Sequence, residues 1–153
     1  MENALRKARA GAAISAAGAL VLGADTDVVF DGRLLGKAAD EPAARERLEA
    51  LSGRTHEVLS GVALVRGRGE ESTALARSLV TFRTLDPETI ELYLASGEWR
   101  DRAGAYAIQG FGSILIDRLE GDFSNVVGLP VGALLGMAPE FAPGSPENPK
   151  AKN

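Results

Sequence analysis

The chain has 153 residues, a length that suits one domain with a single hydrophobic core. Apolar residues make up 45% and charged residues 25% of it, a balance that excludes a mostly disordered chain. The net charge of −4 and the lack of a long basic cluster argue against nucleic-acid binding, and no apolar run reaches the roughly 20 residues that span a membrane.

Two scarce residue types limit the disulfides and metal sites that the chain can form. The chain has no cysteine, which excludes disulfides and thiolate metal sites and is typical of a reducing compartment, so we expect a cytoplasmic protein. It has one histidine, His56, so a metal site with several histidines cannot form within one chain. We expect His56 to be a hydrogen-bonded structural residue at the start of a strand.

The first part of the sequence predicts a helix, a strand with a short return strand, and a second helix. Residues 3–17 mix alanine with three basic side chains and predict a helix. Residues 19–30 begin with a stretch that is apolar on both faces, as buried strands are. Asp31 and Gly32 then predict a turn into a short strand, and Asp40 is the predicted N-cap of the next helix.

The second part predicts a long hairpin, two helices and a further strand. The hairpin strands are "THEVLSGVALVRG" and "STALARSLVTFRTL", and a helix begins at Asp86 and ends at Gly97. "GEWRDRAGAYAIQGFG" predicts an irregular loop, "SILIDRLEG" a strand and "LPVGALLGM" a last helix. The expected class is therefore α/β, with a mixed, twisted sheet flanked by helices. The polar, proline-rich residues 139–153 predict a disordered tail.

Polar residues follow directly on the buried part of the first strand. Ligands gather at the carboxyl ends of strands in α/β sheets, so Asp25, Thr26 and Asp27 are candidates to hold a metal ion or to activate water. The alternative is that these side chains cap a turn. Lys37, which follows Gly36, is a candidate phosphate contact, with a solvated surface lysine as the alternative.

The glycine-spaced loop is the other candidate region. Glu98, Asp101, Arg102 and Gln109 stand there among small residues, which let the backbone approach a ligand closely. The carboxamide of Gln109 offers both a donor and an acceptor to the edge of a base. The alternative is a tight loop whose charges pair with one another.

Six segments in this order resemble the Maf family, the septum-formation proteins that act as nucleoside triphosphate pyrophosphatases. They are "VLGADT", "DGRLLGK", "LSGRTHEVLSGVAL", "VTFRTL", "YLASGEWRDRAGAYAIQGFG" and "LEGDFSNVVGLPVGALL". The resemblance implies a Maf/ITPase-like domain over residues 1–138, followed by the tail 139–153. The family's first strand and its Ser-Pro-Arg-Arg loop have no counterpart in this sequence, so we expect an N-terminally shortened domain.

The resemblance also implies a reaction, in which a nucleoside triphosphate is cleaved to the monophosphate and pyrophosphate with a divalent cation, Mg²⁺ or Mn²⁺. Asp25 matches the family's general base and would also contact the metal. Lys37 matches the lysine that neutralises the triphosphate. Glu98 and Asp101 fall in a segment that could support the metal, and Arg102 takes the place of the family's usual lysine near the substrate.

The resemblance further implies which substrates are used. Thr26 and Gln109 match positions that are linked to substrate choice, and "ADT" with "IQG" looks like the branch that prefers dTTP and UTP. Modified pyrimidine nucleotides are further candidate substrates, and a homodimer is expected. The alternative is a catalytically impaired protein of the same fold that binds nucleotides or regulates cell division.

Overall fold

The computed structural model describes residues 1–67 and 69–143. The helices of this part of the chain are α1 (Glu2–Ile14), α2 (Glu41–Leu51), α3 (Pro87–Ser96), α4 (Phe123–Val127) and α5 (Val131–Met137). Its strands are β1 (Leu20–Phe30), β2 (Arg33–Leu35), β3 (Thr55–Arg66), β4 (Glu70–Phe82) and β5 (Ile116–Glu120). Two 3₁₀ helices span Gly110–Leu115 and Pro139–Phe141. None of the helices described is long and apolar enough to cross a membrane.

The strands form one sheet in the order β2-β1-β3-β4-β5. The α/β class is thereby confirmed, although the sequence predicted a mixed sheet and every pairing between the described strands is antiparallel. The reason is the early reversal at Asp31 and Gly32, whose φ angles of 48° and 73° make the tight turn between β1 and β2. This reversal lets the chain pass through α2 and return beside β1 in the opposite direction.

One face of the sheet carries the main hydrophobic core. Because side chains alternate along a strand, Val28, Val58 and Val80 point to the same side from three neighbouring strands. They pack in one buried cluster with residues of α2 and α3, such as Leu48 and Tyr93, both 0% exposed. The buried cluster anchors the loops that follow α3 and so fixes one wall of the cleft described below.

The opposite face of β1 is covered by α1 at very short range. A methyl group added at Gly23 would lie 2.2 Å from the carbonyl oxygen of Ala4 and 2.6 Å from the backbone nitrogen of Ala8. Only a glycine in the strand and small residues on the helix allow this approach, and both alanines are fully buried. The close packing fixes the position of the polar side chains of α1 relative to β1.

The predicted starts of α2 and α3 and the predicted end of α3 are confirmed. Asp40 accepts a hydrogen bond from the backbone N–H of Ala43 at 2.9 Å, and Asp86 accepts one from Thr89 at 2.7 Å. Gly97 ends α3 in the left-handed conformation, with φ of 72°.

Three elements differ from the predictions, and the first is α1, which ends at Ile14 and not at residue 17. The predicted strand "SILIDRLEG" is shorter, because residues 110–115 form a 3₁₀ helix, and α4 was not predicted because its five residues carry no helical periodicity. In the predicted tail, Pro139–Phe141 forms a 3₁₀ turn, whereas residues 144–153 lie outside the described residues.

Candidate active site

A cleft of about 410 Å³ opens beside β1, a size typical of small-molecule sites. Residues from β1, the turn after β2, the loop after α3 and the end of α4 line it. Six of the seven predicted site residues are among them: Asp25, Thr26, Lys37, Asp101, Arg102 and Gln109. Residues that are distant in the sequence therefore meet in one place, as expected for a binding site.

Asp25 is held by two side chains of α1. Lys7 Nζ lies 2.6 Å from Asp25 Oδ1 and 3.1 Å from the carbonyl oxygen of Ala24, and Asn3 Nδ2 lies 3.0 Å from Asp25 Oδ2. The hydrogen bond from Lys7 holds the pKa of Asp25 below its ordinary value, against a smaller opposing effect of burial. Asp25 is therefore a carboxylate at neutral pH.

Lys7 and Asn3 were not identified as site residues from the sequence. They are spaced i, i+4, which places both on one face of a helix. That spacing was the available signal, but a basic residue in an alanine-rich helix is more often solvated, and the partner Asp25 lies 18 residues away from Lys7.

Thr26 points to the face of β1 opposite to that of Asp25. Its Oγ1 lies 2.7 Å from Ser60 Oγ and 3.3 Å from the carbonyl oxygen of Gly128. Ser60 is fully buried and was also missed from the sequence, where a serine within an apolar strand looked unremarkable. Gly128 ends α4, so Thr26 connects the strand to the α4 wall of the cleft.

Lys37 and Asp101 tie together two loops of the cleft. Lys37 Nζ lies 3.2 Å from Asp101 Oδ1, and the backbone of Lys37 forms an isolated antiparallel bridge with Ala103. Asp101 adopts a left-handed φ of 60°, a strained conformation that is common at functional sites. Both side chains of the ion pair are largely exposed, so the pair contributes about 0–1 kcal/mol and can open for a ligand.

Glu98 is the exception among the predicted site residues, since the cleft lining does not include it. Its two carboxylate oxygens accept hydrogen bonds from the backbone N–H groups of Phe111 and Gly112, each at 3.1 Å. These bonds stabilise the start of the 3₁₀ helix that follows Gln109. Two accepted hydrogen bonds leave further lone pairs on a carboxylate, so the metal contact of Glu98 stays a prediction.

The profile of the family described as "Maf-like protein" matches residues 1–141. The chain belongs to the Maf-like family. Several curated relatives carry the name "dTTP/UTP pyrophosphatase". That of Moorella thermoacetica is 58% identical over 130 residues, covering 84% of this chain and 66% of the relative.

The relative from Symbiobacterium thermophilum is 51% identical over 138 residues, covering 90% of this chain and 70% of the relative. The relative from Pyrococcus furiosus is 47% identical over 115 residues, covering 72% of this chain and 58% of the relative. The chain thus spans about two thirds of the length of the curated relatives it matches.

The carboxylates of this Maf-like cleft can be compared with the needs of a divalent cation. Among the described residues, no group of three or more His, Asp or Glu side chains is placed to hold a metal ion. Asp25 and Asp27, two positions apart on β1, both line the cleft. Mg²⁺ is commonly held by one or two carboxylates together with substrate phosphates. The cleft therefore fits a cation that enters with a triphosphate, not a cage built by the protein alone.

The charges along the described lining of the cleft balance one another. Three basic side chains (Lys7, Lys37 and Arg102) face three acidic ones (Asp25, Asp27 and Asp101). Two of the basic side chains are already paired, Lys7 with Asp25 and Lys37 with Asp101. A bound polyphosphate would compete for these cations, and a divalent ion would compensate for the added negative charge.

The floor of the cleft includes Tyr106, which rests on the buried His56. His56 Nε2 lies 2.7 Å from the Tyr106 hydroxyl, and both rings pack edge to face with Phe82. Burial lowers the pKa of His56 to about 4, so the ring is neutral at physiological pH. The prediction that His56 is a hydrogen-bonded structural residue is confirmed.

Proposed function

We propose that this chain is a nucleoside triphosphate pyrophosphatase that cleaves dTTP and UTP between the α and β phosphates. The observation that carries the proposal is the shared cleft, which an ionised Asp25 lines together with three basic side chains and the carboxamide of Gln109. The names of the relatives support the substrate class. Modified pyrimidine nucleotides belong to the same proposed class.

Asp25 is the proposed general base. Its carboxylate orients a water molecule and takes one proton from it while the water oxygen attacks the α phosphorus. The bond from that phosphorus to the bridging oxygen breaks, and pyrophosphate leaves. The contact with Lys7 keeps Asp25 ionised before the reaction, but it also makes the carboxylate a weaker base. Transfer of the Lys7 ammonium towards a phosphate would restore the basicity of Asp25.

Lys7, Lys37 and Arg102 are the proposed cationic contacts of the triphosphate. Each has a flexible side chain at the cleft, and the exposed pair of Lys37 with Asp101 costs little to open. A Mg²⁺ or Mn²⁺ ion bound through Asp25 and Asp27 would neutralise phosphate charge and polarise the reacting phosphoryl group. Asp101 is a further predicted metal contact, and Thr26 and Gln109 are the proposed contacts of the base.

Pyrophosphate release from dTTP, UTP and CTP, with Mg²⁺ or Mn²⁺, tests the proposal. Asp25→Asn should lower kcat with dTTP and UTP by about 10²- to 10⁴-fold, because the base is lost while the hydrogen-bonding shape remains. Asp117→Asn is the matched control, since Asp117 is an exposed aspartate of β5 outside the cleft lining, and it should keep wild-type turnover. Full activity of Asp25→Asn would refute the role of Asp25.

The non-catalytic alternative makes the opposite prediction, namely nucleotide binding without pyrophosphate release. The comparisons offer no support for this alternative, because the relatives described above are named as pyrophosphatases. A cytoplasmic location and a homodimer remain predictions, to be checked by fractionation of the source cells and by light scattering of the purified chain.

A further inference from the structure

A buried chain of hydrogen bonds runs from the cleft into the sheet. It begins at Thr26, whose hydroxyl contacts Ser60 Oγ at 2.7 Å. Ser60 Oγ lies 3.2 Å from the backbone carbonyl oxygen of Asn125, and both residues are 0% exposed. Buried polar groups of this kind specify one arrangement, because each group that loses its partner is costly.

The side chain of Asn125 anchors α4 to the sheet. Its Nδ2 donates to the carbonyl oxygen of Val58 at 3.0 Å and to Ser78 Oγ at 2.9 Å, so it bonds to both β3 and β4. This anchoring places the backbone carbonyl oxygens of Asn125 and Gly128 against the hydroxyls of Ser60 and Thr26.

The hydroxyl hydrogens of Thr26 and Ser60 can be assigned by counting donors and acceptors. Each hydroxyl has one hydrogen to donate and two lone pairs. If Ser60 donates to the Asn125 carbonyl, Thr26 donates to Ser60. If Ser60 donates to Thr26 instead, Thr26 donates to the Gly128 carbonyl. The hydrogen of Thr26 is bound to a protein acceptor in both arrangements, and a lone pair remains free. Thr26 can therefore only accept a hydrogen bond from a ligand, unless a protein bond is broken.

We propose that Ser60 and Asn125 are positioning residues that hold the Thr26 hydroxyl as an acceptor, so that the cleft selects a base with a ring N–H group. This inference rests on the proposed function. Thymine and uracil share a single hydrogen-bond donor on their pairing edge, N3–H. Cytosine has a bare acceptor nitrogen at that position, which would meet the acceptor of Thr26.

The test compares kcat/KM for UTP, CTP and N3-methyl-UTP. The wild-type protein should prefer UTP to both others by at least about 100-fold, since a site built for an N–H donor rejects analogues that lack it. Ser60→Ala removes the 2.7 Å contact and leaves only the 3.3 Å contact to Gly128, so the hydroxyl needs to break just one weak bond to turn and donate to cytosine. The ratio of UTP to CTP should then fall about two- to tenfold. Ser60→Thr keeps the hydroxyl and should retain the wild-type ratio.

The ratio separates positioning from general damage, because a merely structural defect lowers kcat/KM for both substrates and leaves their ratio unchanged. An unchanged ratio in Ser60→Ala, or equal use of UTP and N3-methyl-UTP by the wild type, would overturn the inference. Thr26→Val, which removes the acceptor, should abolish the preference, whereas Thr26→Ser should keep most of it.

Binding of the monophosphates UMP and CMP, measured by calorimetry, distinguishes failure of this inference from failure of the proposed function. Tighter binding of UMP in a protein that releases no pyrophosphate would support the inference and refute the proposed activity. Equal binding of both, in a protein that hydrolyses UTP, would refute the inference alone. No binding of either, in a protein that also releases no pyrophosphate, would refute both.

Discussion

Mild acid should destabilise the fold through His56. The ring is 2% exposed and its pKa is lowered from 6.5 to about 4 by burial, so the folded protein takes up a proton there only at much lower pH than the unfolded chain does. Between these two values the unfolded chain binds more protons, and the free energy of unfolding therefore falls as the pH falls. His56 is the only histidine, so few other side chains titrate between pH 7 and 5.

The expected loss follows from the two pKa values. At pH 5 it amounts to about 2 kcal/mol, and over the whole window down to the folded-state pKa it approaches about 3 kcal/mol. Carboxylates such as Asp25 and Asp122 have lowered pKa values in the fold. Their stabilisation is complete above their unfolded pKa and is lost mainly at lower pH, so it overlaps little with the loss from His56.

Urea unfolding at pH 7 and pH 5 measures this loss, with His56→Phe as the control. Phenylalanine keeps an aromatic ring against Phe82 and Tyr106 but cannot titrate. The wild type should lose about 2 kcal/mol more than the variant between the two pH values, whatever their absolute stabilities. An equal loss in both proteins would refute the assignment of the effect to His56.

Three further predictions concern the packing of α1 on β1, the proposed general base Asp25 and the loop that contains Glu98. Gly23→Ala should cost about 1–3 kcal/mol in urea unfolding because the added methyl meets the backbone of α1, whereas Gly136→Ala, with open space around it, should cost nothing. Lys7→Met should move the acid limb of the kcat/KM profile to higher pH, because the pKa of Asp25 rises when its main stabilising partner is lost; an unmoved limb would contradict the role of that contact. Glu98→Gln should raise KM more than it lowers kcat, because it loosens the 3₁₀ helix that follows Gln109 and leaves Asp25 unchanged; a pure loss of kcat that depends on added metal would instead support the predicted metal contact of Glu98.

The features that the sequence predicted well are local ones. Asp40 and Asp86 cap helices because a short acceptor side chain precedes a helical pattern, and Asp31 with Gly32 turns the chain because both tolerate positive φ. The six cleft residues came from the family resemblance and from the polar ends of apolar segments. Each of these signals is confined to a short segment, so a single sequence contains it.

The features that were missed depend on contacts between distant segments. Lys7 reaches Asp25 only because Gly23 lets α1 lie directly on β1. The sequence does not decide whether the carboxylate of Glu98 faces a ligand or the backbone. It accepts a hydrogen bond from the Phe111 N–H only because the loop folds back onto it. Neither outcome is encoded in spacing or composition, since each requires the packed structure.

Successive side chains of β1 point to opposite faces of the sheet, which gives a physical reason for a division of roles between two adjacent residues. Asp25 faces α1, whereas Thr26 faces Ser60 and α4, and both line the same cleft. The cleft can include both faces because β2 pairs only with residues 28–30 of β1, so that none of the described strands covers the outer edge of β1 at Asp25 and Thr26. A bound nucleotide would cross this edge, with its reacting phosphate near Asp25 on the α1 side and its base near Thr26 on the α4 side. Asp25→Asn should then slow every nucleotide by the same factor, and Thr26→Val should change only their ranking; a change of ranking in Asp25→Asn would contradict this division.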